Sequence, residues 1–259
     1  MPRPLRNIRD GLLGLAYPEE CRVCSGTVES WDDGVACSDC WTDPSVTKLL
    51  NGPVCSKCGI PVSSALAIGQ SLPQRAKPRL CAMCTSLPFG TARACGVYSG
   101  ALEASILFLK ATPHICPRLR GLICRAYSDH YQAAESDVVI PVPLHRVRER
   151  QRGFNQAAII ARLISREFDV RLDERSLLRT KSTDRHRAGM DATDRAQSVE
   201  RAFEVARPRL LEGATVLLVD DLYTTGSTIC AAAKCLLESG ATLVNVLTIA
   251  RVGVRAIGP

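Results

Sequence analysis

The sequence has no run of about 18 or more apolar residues, the length that a helix needs to cross a bilayer, so we expect no membrane span. The first 18 residues carry basic side chains and a short apolar patch. Glycines interrupt that patch and a cysteine motif follows at once, which makes it a poor signal peptide. Without an export signal, the sequence predicts a cytoplasmic protein in a reducing compartment, where cysteines are metal ligands or buried thiols more often than disulfides.

Aromatic residues are also scarce, at 5% of the chain, so few side chains could stack on nucleobases. The candidates are Trp31, Trp41, Tyr98 and Phe154, and each could equally serve packing. No segment is recognisable as a nucleobase-reading site. The remaining composition, 46% hydrophobic and 23% charged, is ordinary for a globular protein and argues against disorder. A chain of 259 residues has room for one α/β domain and a small accessory module.

Positive charge is concentrated in one quarter of the chain. The formal net charge is +7, and between Pro141 and Arg209 there are 16 Arg or Lys against 10 Asp or Glu, a local excess of +6. This pattern favours an anionic partner for that segment, with a solvated basic face as the alternative.

Eight of the thirteen cysteines form four C-x-x-C pairs, all in the first third of the chain: Cys21/Cys24, Cys37/Cys40, Cys55/Cys58 and Cys81/Cys84. The residues between them are rich in Gly, Pro, Ser and Asp and could bury little core unaided. Two pairs supply the four thiolates of a closed tetrahedral zinc site, which leaves no open position for chemistry. We therefore predict one or two structural zinc ions, with a redox role for one pair as the alternative.

The simplest pairing joins the first two motifs around one zinc and the last two around another, as in a double zinc ribbon. Spacing alone leaves an interleaved pairing open. The five remaining cysteines lie in apolar surroundings and are predicted to be buried thiols: Cys95, Cys116, Cys124, Cys230 and Cys235.

After residue 88 the pattern changes to strands that alternate with helices. Residues 90–100 are typical of a strand or hairpin, residues 101–111 and 118–134 are helical in their apolar spacing, and residues 137–145 form a short apolar strand. A helix opened by Asn155 follows, then a strand over 215–220, a helix ended by Gly240 and a last strand over 242–252. This order predicts a doubly wound parallel sheet in residues 89–259, preceded by a cysteine-rich module in residues 1–88.

The segment after the strand TVLLV carries the strongest functional signal. Asp220 and Asp221 stand side by side, and the residues Thr224, Thr225, Gly226, Ser227 and Thr228 lead into the next helix. Backbone N–H groups, hydroxyls and the positive end of the helix dipole at such a point suit a phosphate. The two carboxylates would repel that phosphate, but they suit the vicinal hydroxyls of a ribose or a hydrated Mg²⁺ ion. The pattern therefore predicts a ribose 5-phosphate site, with a simple helix cap as the alternative.

VLLVDDLYTTGST closely resembles the signature with which type I phosphoribosyltransferases bind phosphoribosyl pyrophosphate (PRPP). The segment IPVPLHRVRERQRGFNQAAIIARLI, the cysteine pairs, Lys110 and Arg179 resemble ComF-family proteins, and the likeness covers nearly the whole chain. It implies a type I phosphoribosyltransferase-like fold, a parallel sheet flanked by helices, with an N-terminal double zinc ribbon.

The resemblance also implies roles for individual residues. Asp220 and Asp221 would hold the ribose hydroxyls and Thr224 to Thr228 the 5-phosphate of PRPP. Mg²⁺ would accompany the pyrophosphate, near the turn that contains Pro143 and His145 and near Lys110. The arginines that follow this turn would contact pyrophosphate or a nucleic-acid backbone: Arg146, Arg148, Arg150 and Arg152. Residues 179–197 occupy the place of a flexible lid, in which Arg187, Met190 and Gln197 depart from the residues frequent in that family.

Two functions follow. ComF relatives are associated with DNA uptake, which implies a PRPP-binding protein that handles single-stranded DNA together with the uptake machinery. The alternative is an active transferase that moves ribose 5-phosphate from PRPP to a nitrogenous base in nucleotide salvage, for which the sequence offers a complete PRPP motif but no acceptor site. Neither the oligomeric state nor turnover follows from the sequence.

Overall fold

A computed structural model describes residues 19–61, 81, 84, 86–131, 136–180 and 202–253. The cysteine-rich part begins with a short antiparallel pair, β1 (Glu19–Glu20) and β2 (Thr27–Val28). A 3-10 turn over Trp31–Asp33 and the short helix α1 (Ser38–Thr42) follow.

The rest of the described chain alternates strands and helices. In order, these are β3 (Ala92–Val97), α2 (Gly100–Ala111), α3 (Pro117–Ser128), β4 (Val138–Pro141), α4 (Arg146–Arg152), α5 (Gln156–Phe168), β5 (Arg171–Leu172), β6 (Leu177–Arg179), β7 (Phe203–Val205), β8 (Thr215–Tyr223), α6 (Ser227–Glu238) and β9 (Leu243–Arg251). A 3-10 turn over Pro208–Leu210 precedes β8.

Within the described residues the main sheet has five strands in the order β3-β9-β8-β4-β5, and every pairing in it is parallel. The strand β8 lies in the centre, and Val219 pairs with Leu247 on one side and Pro141 on the other. The predicted α/β fold class is therefore confirmed. A separate antiparallel hairpin, β6–β7, stands beside the sheet.

Apolar side chains cover both faces of this sheet, as a doubly wound arrangement requires. Helices α2, α3 and α5 bury one face, with core residues that include Leu102, Ile123, Ile160, Leu217 and Leu247. Helix α6 and the β6–β7 hairpin bury the other, with core residues that include Ile140, Phe203, Leu218, Leu236 and Val246.

Local structure departs from the sequence-based expectations at three places. Residues 92–97 form a single strand that pairs with β9, so the hairpin alternative is wrong. Helix α3 ends at Ser128, before the predicted end at residue 134. The strand β8 continues through Tyr223, because its ladder with β9 continues as far as Arg251. Asp220 and Asp221 therefore lie inside the strand and not in the loop after it.

The cysteine-rich part packs directly on the sheet. The N–H groups of Leu50 and Val97 donate to the carbonyls of Cys95 (3.0 Å) and Lys48 (2.8 Å), so residues 48–50 extend the β3 edge. Trp41 is 3% exposed and belongs to the same core cluster as α2 and α3. The boundary at residue 88 stays a prediction. None of the helices in the described ranges is long and apolar enough to cross a membrane.

Candidate functional site

The neighbouring strands β8 and β4 end side by side, at the carboxyl ends of the sheet strands. We call this border of the sheet the ligand edge. Beyond the paired residues Pro141 and Val219, the N–H of Val142 donates to the Val219 carbonyl at 2.8 Å. Asn155 caps α5 by accepting from the Ala157 N–H at 3.0 Å, and its amide donates to the Val142 carbonyl at 3.0 Å. The predicted pyrophosphate turn and the predicted phosphate loop therefore start from neighbouring, hydrogen-bonded strands, where open α/β sheets bind ligands.

Asp221 is held in the ligand edge by a lysine from another element. Its side chain is buried, and Lys110, at the end of α2, places Nζ 3.4 Å from Asp221 Oδ2. That oxygen accepts no hydrogen bond from the described residues. A buried carboxylate oxygen without a donor is rare in folded proteins, and the hydroxyl of a ligand would satisfy it. Lys110, which the resemblance places near the pyrophosphate turn, thus lies beside Asp221 in the structure.

Asp220 occupies the adjacent position of β8, and its Oδ1 accepts the Asp221 N–H at 2.9 Å. The residue keeps some exposure, but its carboxyl group is desolvated. Burial first, and then the neighbouring charge of Asp221, raise the pKa of Asp220 well above its usual value, and Arg179 opposes this shift. A carboxylate in this condition gains from any ligand that brings hydrogen-bond donors or a cation.

The loop after β8 turns sharply into α6. Gly226 adopts the left-handed conformation with φ 80°, and a Cβ at this position would stand 2.4 Å from the Tyr223 hydroxyl. Thr224, Thr225 and Ser227 are exposed, and the Thr225 and Ser227 hydroxyls lie 2.8 Å apart. Exposed hydroxyls and N–H groups at the start of a 12-residue helix suit an anion, and their role as a phosphate cradle stays a prediction.

The turn after β4 and the arginine-rich helix lie beside this edge. His145 caps α4 by accepting the Val147 N–H on Nδ1 at 3.4 Å, and Pro143 lines the same turn. A cleft of about 600 Å³ opens here between the turn, α4, α5 and the β6–β7 hairpin, and Phe154 and Arg179 contribute to its walls. Asp220 and Asp221 do not line that cleft, which adjoins the ligand edge on the side of the hairpin.

The predicted arginine cluster forms the helix α4. Arg146, Arg148 and Arg150 are exposed, whereas Arg152 is half-buried and donates to Oε1 of Gln156. Arg152 therefore contributes to the packing of α4 on α5, and the outward charge comes from the other three arginines. The predicted lid residues 181–197, with His186, lie outside the described residues, whereas Arg179 ends β6 at the cleft.

Two residues near the site escaped the sequence analysis. Arg251, at the end of β9, is 5% exposed and places its guanidinium 5.1 Å from the centre of the Tyr223 ring. The only sequence signal for Arg251 is its place at the end of a mostly apolar strand. The resemblance to the PRPP signature includes Tyr223 but assigns it no role of its own.

The eight paired cysteines gather into two clusters, and in each cluster the four Sγ atoms lie within 4.8 Å of one another. The first contains Cys21, Cys24, Cys37 and Cys40, and the second contains Cys55, Cys58, Cys81 and Cys84. Consecutive motifs therefore pair, and the interleaved alternative is wrong.

The geometry of both clusters fits zinc. Tetrahedral coordination with Zn–S bonds of about 2.3 Å separates the sulfurs by about 3.8 Å. The Sγ atoms of Cys21 and Cys40 are 3.8 Å apart, those of Cys24 and Cys37 3.7 Å, and those of Cys58 and Cys81 3.7 Å. Cys81 and Cys84 are closer, at 3.0 Å, still far from a disulfide bond.

Backbone donors stabilise the thiolate form of one cysteine in each cluster, Cys21 and Cys55. The Cys37 N–H donates to Cys21 Sγ at 3.2 Å, and the Cys81 N–H donates to Cys55 Sγ at 3.4 Å. Burial alone raises the pKa of Cys21 and Cys55, but these and neighbouring N–H donors together outweigh it and lower both values to about 6. Such thiols are ready to bind as thiolates.

Other side-chain expectations are met in part. Cys95 and Cys116 are buried as predicted, but Cys124, Cys230 and Cys235 are half-buried, since each lies on a helix at the border of the apolar face. Among the stacking candidates, Trp41 is buried in the core and Trp31 is 58% exposed. Tyr98 and Phe154 are half-buried, so part of each side chain packs against the protein.

Two family models match the chain in tandem. The double zinc ribbon domain matches residues 12–85, and the phosphoribosyl transferase domain matches residues 152–257. Competence protein ComFC of Bacillus subtilis (strain 168) is 28% identical over 206 residues, which cover 78% of this chain and 78% of that protein. Over most of its length the chain is thus similar to a ComF-family protein.

Further relatives match the chain over shorter stretches. Competence protein F of Haemophilus influenzae is 35% identical over 135 residues, 52% of this chain and 58% of the relative. DNA utilization protein YhgH of Escherichia coli O6:H1 is 35% identical over 115 residues, 44% of this chain and 49% of the relative. The matched stretches thus span about half the length of these two relatives.

Among solved structures, a glutamine PRPP amidotransferase from B. subtilis complexed with ADP and GMP aligns with a TM-score of 0.34 and 21% identity. The alignment covers 57% of this chain and 26% of that protein.

Proposed function

We propose that this protein is a member of the ComF family, that it binds PRPP, or another ribose 5-phosphate ligand, with Mg²⁺ at the ligand edge, and that it handles single-stranded DNA in the cytoplasm during DNA uptake. The observation that carries the first part is the meeting of Asp220, Asp221 and the hydroxyl-rich start of α6 at the end of one central strand.

Each group at the ligand edge has a distinct task in this proposal. Asp221 Oδ2, which is paired with Lys110 but accepts no hydrogen bond from the described residues, and the desolvated carboxyl of Asp220 accept from the two ribose hydroxyls. The N–H groups and hydroxyls of Thr224 to Thr228 hold the 5-phosphate. Lys110 supplies positive charge, and the turn with Pro143 and His145 faces the pyrophosphate. Mg²⁺, when bound, would neutralise part of the pyrophosphate charge.

A role in DNA handling is supported by the family and by the charge of α4. Relatives carry the names competence protein and DNA utilization protein. The exposed arginines Arg146, Arg148 and Arg150 project from a helix that borders the ligand edge. Their charges suit a phosphate backbone, because each phosphate neutralised releases a condensed counterion. We propose that single-stranded DNA and the uptake machinery are the partners of this surface.

Calorimetry with PRPP and Mg²⁺ tests the ligand proposal. We expect saturable binding to the wild type and its loss in Asp220→Ala/Asp221→Ala. The matched control is Glu212→Ala/Glu238→Ala, because both glutamates are exposed and lie at the opposite edge of the sheet, so this double variant removes the same charge. Equal binding by both double variants would refute the assignment.

A salt series with a single-stranded oligonucleotide tests the DNA proposal. Arg148→Ala/Arg150→Ala should weaken binding and reduce the slope of log affinity against log salt by about 1.4, if each arginine neutralises one phosphate. Arg152 stays in place because it bonds to Gln156. Arg166→Ala, at an exposed position of α5, is the control. An unchanged slope in the double variant would contradict the proposal.

Transferase activity is the second candidate, favoured by the phosphoribosyl transferase domain match over residues 152–257. Its test is release of pyrophosphate from PRPP across purine and pyrimidine bases. Release that requires one base, and that disappears in Asp220→Ala/Asp221→Ala, would establish it. Absence of release with every base, in a protein that binds PRPP, would leave the binding function alone.

A further inference from the structure

The second cysteine cluster, defined by Cys55, Cys58, Cys81 and Cys84, lies close to the phosphate loop. The link between them is Arg251, which is 5% exposed. Its Nη1 donates to the Cys58 carbonyl, and its guanidinium stands 5.1 Å from the centre of the Tyr223 ring. One buried side chain therefore contacts both a cysteine of the cluster and the last residue of β8.

Tyr223 in turn supports the phosphate loop from below. It is 6% exposed, packs edge-on against Phe89 with ring centres 6.4 Å apart, and accepts the Val252 N–H on its carbonyl at 2.8 Å. Its hydroxyl lies 2.4 Å from the position that a Cβ of Gly226 would occupy. The turn that opens α6 thus rests on the phenol ring, and a displaced ring would displace the turn.

The guanidinium has few other supports. Its Nε is buried and makes no hydrogen bond within the described ranges, so the Cys58 carbonyl and the Tyr223 ring set its position. The direction of the Cys58 carbonyl follows from the tight turn over residues 55–60, in which the Gly59 N–H donates to the Cys55 carbonyl at 3.0 Å. Four thiolates on one metal would fix this turn, because both of its cysteines would be ligands.

We propose that Arg251 is a positioning residue that couples the second cysteine cluster to the phosphate loop, so that binding of the phosphate group depends on the metal-loaded state of that cluster. The proposal rests on the proposed ribose 5-phosphate function. In outline, loss of metal frees the Cys58 carbonyl, Arg251 loses its anchor, and Tyr223 no longer holds the turn at Gly226. The first cluster has no such link among the described residues.

A neighbouring arginine provides the control. Arg93 also binds the second module, with Nη2 donating to the Ser56 carbonyl at 2.9 Å, but it contacts the module from β3 and is not the residue against Tyr223. Arg93→Lys therefore removes a hydrogen bond to the segment of the second cysteine cluster but leaves the contact with Tyr223, whereas Arg251→Lys removes the flat guanidinium that faces the ring. Both changes keep the charge.

The experiment compares these variants by zinc content, by PRPP calorimetry and by hydrogen exchange of the Cys230 amide, which donates to the Gly226 carbonyl at 2.7 Å. We expect Arg251→Lys to retain its zinc, to bind PRPP about fivefold more weakly, and to exchange the Cys230 amide faster. Arg93→Lys should match the wild type in PRPP affinity and in the exchange rate of the Cys230 amide. Cys81→Ser in the second cluster should weaken PRPP binding, and Cys24→Ser in the first should not.

The coupling would be overturned if Arg251→Lys and Arg93→Lys changed PRPP affinity and Cys230 amide exchange equally. It would also be overturned if Arg251→Lys kept the wild-type PRPP affinity and the wild-type exchange rate. If the cysteine variants do not fold, the two arginine variants still decide. If the wild type fails to bind PRPP, the proposed function is wrong, and the exchange of the Cys230 amide still shows whether Arg251 holds the loop.

Discussion

Gly226 shows how tightly single residues determine the ligand edge. It combines a left-handed backbone, φ 80°, with a phenol hydroxyl 2.4 Å from the place of a Cβ. The first property favours glycine at many helix starts and turns, but the second is specific to this site. The small hydroxyl residues around it leave their N–H groups accessible, so the position of the turn decides whether they converge on one anion.

Gly226→Ala should abolish or strongly reduce PRPP binding, by at least about tenfold, because the new methyl group displaces either the turn or the Tyr223 ring. Gly153→Ala is the matched control, since Gly153 also has φ 80° but nothing lies within 4 Å of its Cβ position. Both changes should cost about 1 kcal/mol of stability from backbone strain. Calorimetry and denaturant unfolding check the two effects, and equal PRPP affinity in both variants would contradict the assigned geometry.

The pair of Lys110 and Asp221 gives a second prediction at this scale. Lys110→Met leaves the buried Asp221 carboxylate without its cation, and because the lysine side chain is 32% exposed we expect a loss of only about 1–2 kcal/mol of unfolding free energy. PRPP binding should weaken as well. Lys48→Met, at an exposed position, is the control, and equal unfolding midpoints for the two variants would show that the pair contributes nothing.

Among the structural elements, the β6–β7 hairpin brings Arg179 to the cleft beside Asp220. Asp173 fixes the turn before it. Its carboxylate accepts from the N–H groups of Arg175 and Ser176, each at 2.9 Å, and from the Arg207 guanidinium at 2.7 Å. Burial raises the pKa of Asp173, but these donors together exceed that effect and leave the pKa below its usual value.

The stabilisation by Asp173 should therefore depend on pH in a defined direction. Because the folded protein holds the carboxylate at a lower pKa than the unfolded chain, the contribution is complete above the unfolded pKa, about 3.9, and is lost as the pH falls through the folded value. Asp173→Asn should cost about 2 kcal/mol near pH 6 and much less near pH 3. Denaturant unfolding at several pH values, with the exposed Asp169→Asn as charge-matched control, measures this. A difference that stays constant with pH would contradict it.

How far sequence predicts structure is also clearest among the elements. The apolar run of β8, the cap at Asn155 and the turn at Gly240 could be recognised because each depends on neighbouring residues. The extension of β8 through Asp220 and Asp221 could not, since the ladder to β9 sets it and polar residues are disfavoured in isolated strands. Likewise Arg251 gains its role from Cys58, 193 positions away in the chain.

Across the molecule, the first cysteine cluster belongs to the main core. Cys21, Cys37 and Cys40 lie in the same apolar cluster as α2, α3 and α5. Arg118 of α3 also pairs with Asp33 at 2.6 Å. The expectation that the cysteine-rich segment could bury little core alone agrees with this arrangement, because Cys21, Cys37, Cys40 and Trp41 are buried in one core cluster with residues of the sheet and its helices.

Zinc removal should consequently destabilise the whole chain. We expect two zinc ions per chain by elemental analysis. Chelation should lower the unfolding temperature by at least about 4 °C, and a shift of about 4 °C corresponds to about 1–2 kcal/mol of unfolding free energy for a chain of this size. Restored zinc should restore the original temperature. One zinc per chain, or an unchanged unfolding temperature after verified removal, would contradict the two-site account.

A crystal structure of the protein with PRPP and Mg²⁺ would show whether the ligand edge binds a sugar phosphate in one orientation. We expect the 5-phosphate on the N–H groups of residues 224–228 and the ribose hydroxyls on Asp220 and Asp221. A phosphate bound instead by the arginines of α4, with the two carboxylates left empty, would contradict it.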